Sequence, residues 1–248
     1  TYFDHLFTTV SMVCVTGLFT QPVATTYNVW GQLICMLLIQ IGGLGLMTFI
    51  GVFYMQGKQK LSLRSRETIQ ESFSYGETRS LRAFIRSIFL TTFLVEGLGA
   101  FLLSFRFIPE FGWGRGIFTS IFLAISAFCN AGFDNFGSSS LVNYQTDPLI
   151  NLVIAGLIIT GGLGFMVWFD LATQLGKKQK RRLRFHTKLV LLLTAGILLF
   201  GTVSTLFTEW QNPGTIGNLS VPEKVLVSFF QTVSMRTAGF ASIDYTQA

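Results

Sequence analysis

Residues 117–133 read Ile-Phe-Thr-Ser-Ile-Phe-Leu-Ala-Ile-Ser-Ala-Phe-Cys-Asn-Ala-Gly-Phe, an apolar segment running straight into a small, glycine-containing stretch. The apolar part, Ile117–Cys129, is too short to cross a bilayer, which takes about 20 apolar residues. Whether it crosses decides the topology, and the flanking charges settle it. Of the 18 Lys and Arg, seven lie between Lys58 and Arg86 and seven between Lys177 and Lys188. Each cluster follows a long apolar run, and positive charge collects on the cytoplasmic side of membrane proteins. Both clusters on one side require an even number of crossings between them. Ser87–Phe105, interrupted only by Glu96, and Leu149–Phe169 supply two. A third crossing at 117–133 would put one cluster outside. The segment is therefore expected to dip into the membrane and return.

Working outward, two further segments behave alike. Asp4–Cys14 and Pro222–Met235 are also too short to span and also run into glycine. Val29–Met55 and Leu189–Thr208 are long enough to cross. Composition agrees: half the 248 residues are hydrophobic and only 12% are charged, about half the charge of a soluble domain. The net charge of +6 comes from these two clusters, so it reads as membrane topology rather than nucleic-acid binding. The chain begins at Thr1 within an apolar segment, which reads as a piece of a longer protein.

The three short segments form an internal repeat. Aligned on glycine, they give Cys14-Val15-Thr16-Gly17-Leu18, Cys129-Asn130-Ala131-Gly132-Phe133 and Arg236-Thr237-Ala238-Gly239-Phe240. A Phe stands ten residues before each glycine, at Phe7, Phe122 and Phe229. The spans that follow repeat too: Gly42-Gly43-Leu44-Gly45-Leu46-Met47 matches Gly161-Gly162-Leu163-Gly164-Phe165-Met166 at five of six positions. The expected fold is all-α and integral to the membrane. Its unit is span, re-entrant helix with glycine loop, span (M1–P–M2). Residues 1–66 hold the loop and second span of one unit, 67–186 a whole second unit, and 187–248 the first span and loop of a third.

A loop that enters the membrane and turns back leaves carbonyl oxygens without helical partners. Such backbone is tolerated only against protein or a water-filled cavity, and aimed at an axis it can replace the water around a cation. Glycine permits the positive φ this needs. The short helix before each loop points its negative end at the ion. The expected ion-binding residues are Val15, Thr16, Gly17, Asn130, Ala131, Gly132, Thr237, Ala238 and Gly239, acting through backbone carbonyls. One glycine per loop points to fewer stacked ion sites than a longer glycine-rich filter would hold. The acidic residues Glu110, Asp134, Asp147, Glu209 and Glu223 fall on the outer side, where they could raise the local cation concentration.

These loops resemble those of the Trk/Ktr/HKT superfamily of potassium transporters, and Phe128-Cys129-Asn130-Ala131-Gly132-Phe133-Asp134 is most similar to the Ktr membrane subunits. The resemblance covers essentially the whole chain. It implies four M1–P–M2 units around one pseudo-four-fold pore and potassium uptake, often sodium-stimulated. It also implies a homodimer in the plasma (inner) membrane, governed by a cytoplasmic ring of nucleotide-binding RCK subunits. Potassium would be the bound ion, and no organic cofactor is expected. The first M1, the third M2 and the fourth unit lie outside this sequence. The alternative is a less selective or sodium-coupled secondary transporter, although broken-helix carriers favour inverted repeats and these run the same way.

Other features have narrower readings. The Gly42–Gly45 motif lacks the strand and lysine of a phosphate loop and reads as close helix packing or a hinge. Glu96, well inside a span, is either a structural hydrogen-bonding group or part of the ion pathway. Arg236 is expected to bond backbone carbonyls behind the third loop, or to tune ion occupancy. Asp170 reads as interfacial. The basic runs could also bind anionic lipid or a cytoplasmic partner. Cys14, Cys35 and Cys129 read as packing residues, and His5 and His186 lack metal spacing. An intramembrane enzyme would need a nucleophile beside a base, and no such pair is visible.

Overall fold

The computed structural model describes residues 1–45, 81–137, 140–175 and 183–245; the side chains of 81–84 and 172–175 are not described. Regular structure among these residues is entirely helical. The elements are α1 (Tyr2–Cys14), α2 (Val23–Thr26), α3 (Val29–Leu44), α4 (Leu81–Phe128), a 3-10 turn (Val142–Tyr144), α5 (Pro148–Gly162), α6 (Phe165–Leu175), α7 (Phe185–Glu209) and α8 (Val221–Thr237). Most of the two basic clusters, and the boundary at residue 66, lie outside the described residues.

Local chemistry sets the helix starts. The Asn28 side chain accepts from Gly31 N at 2.9 Å and opens α3. Asp147 accepts from Leu149 N and Ile150 N at 3.0 and 3.2 Å, with Pro148 in the first turn of α5. Each bond satisfies a donor that a helix N-terminus leaves orphaned.

The expected spans fare differently. Residues 81–128 are two helical limbs joined at Gly112, whose φ of 78° and ψ of 170° are not helical. The backbone of Phe107 and Ile108 lies against Gly116, where a β-carbon would come within 2.6–2.8 Å. The first limb holds the expected span Ser87–Phe105 and the second the short segment Ile117–Cys129. The expected continuous span Leu149–Phe169 is broken instead. α5 and α6 meet at 94°, and Gly164, at φ +83°, sits at the break. α3 likewise stops at Gly45, φ +80°; the rest of Val29–Met55 lies outside the described residues. α7 contains Leu189–Thr208 in one uninterrupted helix.

α1 packs on α3, α4 on α5 and α7 on α8, while α3–α4 and α5–α8 contacts join these pairs. The core gathers Met12, Ile39, Leu103, Phe107, Phe122, Phe133, Phe230 and Phe240 around the ends of the short helices. α7 is different: its large apolar residues, among them Leu192, Phe200 and Phe207, are exposed. Long apolar helices with outward apolar faces mark a membrane protein. The aligned phenylalanines are not equivalent in packing, since Phe122 is buried, Phe229 half-buried and Phe7 exposed.

Candidate functional site

The three glycine loops converge. A β-carbon on Gly17 would lie 2.9 Å from the Ala131 carbonyl oxygen and 3.5 Å from that of Ala238. A β-carbon on Gly132 would collide with the Ala238 carbonyl oxygen. The Thr237 hydroxyl donates to Asn130 Oδ1 at 2.9 Å, joining the second loop to the third. Gly17, Ala131, Gly132 and Ala238 thus meet in one place, with the carbonyl before one glycine against the glycine of its neighbour. Val15, Thr16, Asn130, Thr237 and Gly239 flank this meeting point along the chain.

The first two loops have the same internal wiring. Thr16 N donates to Ser11 O at 2.9 Å and Ala131 N to Ser126 O at 2.8 Å. Leu18 N donates to Ser11 Oγ and Phe133 N to Ser126 Oγ, both at 2.9 Å. Val15 and Asn130 take left-handed φ values of 55° and 58°. That conformation is uncommon for Asn and a genuine outlier for β-branched Val, and strain of this kind collects at functional sites. The third loop differs at its start, because α8 stays helical through Thr237. There Gly239 N donates to Ser234 O at 3.0 Å and Ser234 Oγ donates to Phe240 O at 2.6 Å. All three glycines have positive φ: 75°, 69° and 88°. The serines escaped the sequence reading. A Ser six residues before the first two glycines, and five before the third, was the available signal.

Behind the loops, glycines near the ends of α3 and α5 make room for them. A β-carbon on Gly42 would strike the Val13 carbonyl oxygen, and one on Gly161 the Phe128 carbonyl oxygen. Val13 and Phe128 both stand four residues before their loop glycine. The next glycine in each motif faces the neighbouring loop: Gly43 meets the Cys129 side chain and Gly162 the Arg236 guanidinium. Small residues here permit the close approach expected of membrane helices.

Glu96 is buried on the first limb of α4 and accepts a hydrogen bond from Gln40 Nε2 of α3 at 2.9 Å. Arg236 departs from its expectation. Nη1 reaches the Thr194 hydroxyl of α7 at 3.4 Å, and Nε and Nη2 have no partner among the described residues. Its long side chain leans over Gly162 rather than turning to the carbonyls of its own loop. Asp170 is buried and accepts from Arg184 N at 3.0 Å, tying α6 to the start of α7.

The carboxylates expected on the outer side are engaged in hydrogen bonds or ion pairs. Asp134 is buried and accepts from Phe136 N. Arg106 donates to Asp147 at 2.7 Å and pairs with Glu110 at 3.3 Å. Tyr144 donates to Glu110 at 2.6 Å; burial first, and this bond next, push its phenol well above the ordinary value. Glu209 accepts from Asn212 and Thr215. Glu223 caps α8. Cys14, Cys35 and Cys129 are free thiols, and among the described residues no group of His, Cys, Asp and Glu could hold a metal ion.

Residues 1–248 match the TrkH family model, described as cation transport protein. The chain belongs to that family. It is 40% identical to Ktr system potassium uptake protein B of Bacillus subtilis, over 98% of this chain and 54% of the relative. Identity to the potassium/sodium uptake protein NtpJ of Enterococcus hirae is 41%, over 99% and 53%. Ktr system potassium uptake protein B of Vibrio alginolyticus is 40% identical, over 98% and 53%. The chain spans about half the length of these relatives. The resemblance read from the glycine loops is thereby shown to be membership, with the Ktr proteins among its relatives.

Proposed function

We propose that this chain forms part of the potassium-conducting path of a membrane uptake system, with Gly17, Gly132 and Gly239 at the centres of filter loops. The observation that carries this reading is the packing of the Ala131 and Ala238 carbonyls against the glycines of adjacent loops. Backbone oxygens gathered in this way suit a desolvated cation, and the helices ending there direct their negative poles toward it. The remaining family expectations belong to the same proposal: four loops around one pore, a homodimer, cytoplasmic RCK-type partners and a place in the plasma (inner) membrane.

A second reading has one specific support. The name of the E. hirae relative couples potassium with sodium, which fits the less selective or sodium-coupled alternative. One experiment addresses both. The full-length protein is reconstituted in liposomes, and potassium and sodium uptake are measured for wild type and Gly132→Ser. Loss of potassium preference in the variant is expected. An unchanged preference would remove the loop from the ion path, and a wild type without preference would favour the alternative.

A further inference from the structure

Cys129 and Arg236 share one position in the repeat, three residues before a loop glycine, and the structure holds both in the same three-way arrangement. Each fills the notch left by a glycine on the preceding unit's second span: Gly43 for Cys129 and Gly162 for Arg236. Each also faces a polar side chain on its own unit's first span. For Arg236 this is the Thr194 hydroxyl, at 3.4 Å. For Cys129 it is Glu96, whose Oε1 lies 4.0 Å from Sγ, at the outer reach of a thiol hydrogen bond. A thiol and a guanidinium have little in common chemically, so the shared placement points to a shared mechanical task.

Resting on the filter reading above, we infer that in the second and third loops this position is a strut through which the seam between units holds the filter loop, and that Glu96 is the positioning residue that seats the Cys129 strut. Cys129 directly precedes Asn130, whose left-handed φ of 58° starts the turn into Ala131 and Gly132. A strained residue stays in place only when its surroundings over-determine it. Glu96 is fixed in turn: Gln40 Nε2 of the preceding unit donates to the same oxygen that faces the thiol. A buried carboxyl is expensive at membrane depth. Its position at the junction of three elements, with both contacts on one oxygen, accounts for its presence without placing it in the ion path.

The test uses the full-length protein in liposomes, with potassium and sodium as probes and Gly132→Ser as reference. Glu96→Ala and Cys129→Ala should each lower the potassium-to-sodium uptake ratio about tenfold, equivalent to about 1.4 kcal/mol. The double variant should be no worse than the stronger single one, because both remove one contact. Glu96→Gln keeps an acceptor oxygen in place and should restore the ratio to within about threefold of wild type. A purely structural role would reduce folded protein and total flux while leaving the ratio alone. Should Glu96→Ala fail to assemble, Gly43→Ala displaces Cys129 while leaving Glu96 and Gln40 intact, and the same fall in ratio is expected. The inference is overturned if the Glu96 and Cys129 variants keep the wild-type ratio while Gly132→Ser loses it, or if their effects add. If Gly132→Ser itself keeps the ratio, the filter reading fails and the strut with it.

Discussion

The carbonyl oxygen of Ala238 occupies the space that a β-carbon on Gly132 would fill. The residue before one loop's glycine therefore limits what the preceding loop can carry at its own glycine. The same contact is looser between the first loop and the second, where a β-carbon on Gly17 would stand 2.9 Å from the Ala131 oxygen. At Gly239 a β-carbon would meet nothing within 4 Å among the described residues. All three positions share the left-handed φ, which costs a non-glycine residue about 1–2 kcal/mol, so the differences arise from the neighbours.

A graded series of alanine substitutions follows. Gly132→Ala should damage stability and potassium uptake most, Gly17→Ala less, and Gly239→Ala only by the backbone term of about 1–2 kcal/mol. Thermal unfolding in detergent, together with uptake in liposomes, measures the order. Equal losses at all three positions would show that φ alone matters and that the loops do not constrain one another.

The serines behind the loops make a second prediction. Ser126 is fully buried and its hydroxyl accepts from Phe133 N at 2.9 Å. Ser126→Ala leaves that donor without a partner, a loss of about 1–3 kcal/mol. Ser11, also buried, accepts the equivalent bond from Leu18 N, but Leu18 is exposed and water can take over its amide, so the loss in Ser11→Ala should be smaller. Unfolding midpoints of the two variants test this, and a larger loss at Ser11 would contradict it.

Much of this architecture was legible in the sequence because its determinants are local. A short apolar helix followed by glycine is a pattern of one segment, and the repeat at Gly17, Gly132 and Gly239 multiplies it. What escaped depends on neighbours. Residues 149–169 carry no charge and are predominantly apolar, so nothing in hydropathy marks the 94° break at Gly164. The matching motif Gly42–Gly45 was read as close packing or a hinge; in its second copy Gly161 and Gly162 make close contacts, and Gly164 sits at the break. Arg236 was expected to bond carbonyls behind its loop or to tune ion occupancy, yet its guanidinium lies against Gly162, a residue 74 positions earlier in the sequence. The acidic residues expected on the outer side were read as able to raise the local cation concentration. Arg106 ties down Asp147 and Tyr144 ties down Glu110, both from other elements, while Asp134 is held by the amide of Phe136 two residues on.

Within α5 the glycines supply an internal control. A β-carbon on Gly161 would collide with the Phe128 carbonyl oxygen, whereas one on Gly156 would meet nothing within 4 Å among the described residues. Gly161→Ala should therefore force α5 away from the short helix before the second loop, costing about 1–3 kcal/mol as overpacking does. Gly156→Ala should be neutral, or stabilising by up to about 1 kcal/mol through helix propensity. Unfolding midpoints and the potassium-to-sodium uptake ratio distinguish the two sites. A stable Gly161→Ala with wild-type selectivity would mean that the close approach is dispensable.

The start of α8 gives a prediction in pH. Ser220 N and Ser220 Oγ both donate to Glu223 Oε2, at 2.8 and 2.7 Å, in a capping arrangement that also places negative charge at a helix N-terminus. These bonds, the side-chain one first, hold the exposed Glu223 carboxyl below its ordinary value of 4.5. A carboxyl whose pKa is lower in the folded state stabilises that state fully above its unfolded value, and the contribution is lost as pH falls through the folded value. Glu223→Gln should therefore melt below wild type at pH 7. The gap should persist down to about the ordinary value of 4.5, then close at lower pH as the wild-type carboxyl takes up its proton. Ser220→Ala should be destabilising at every pH, by about 0.5–2 kcal/mol, because an N-cap hydroxyl is lost. Melting curves across this range for both variants are the measurement. A Glu223→Gln deficit that stays constant with pH would mean that shape at the helix start, rather than charge, supplies the stabilisation.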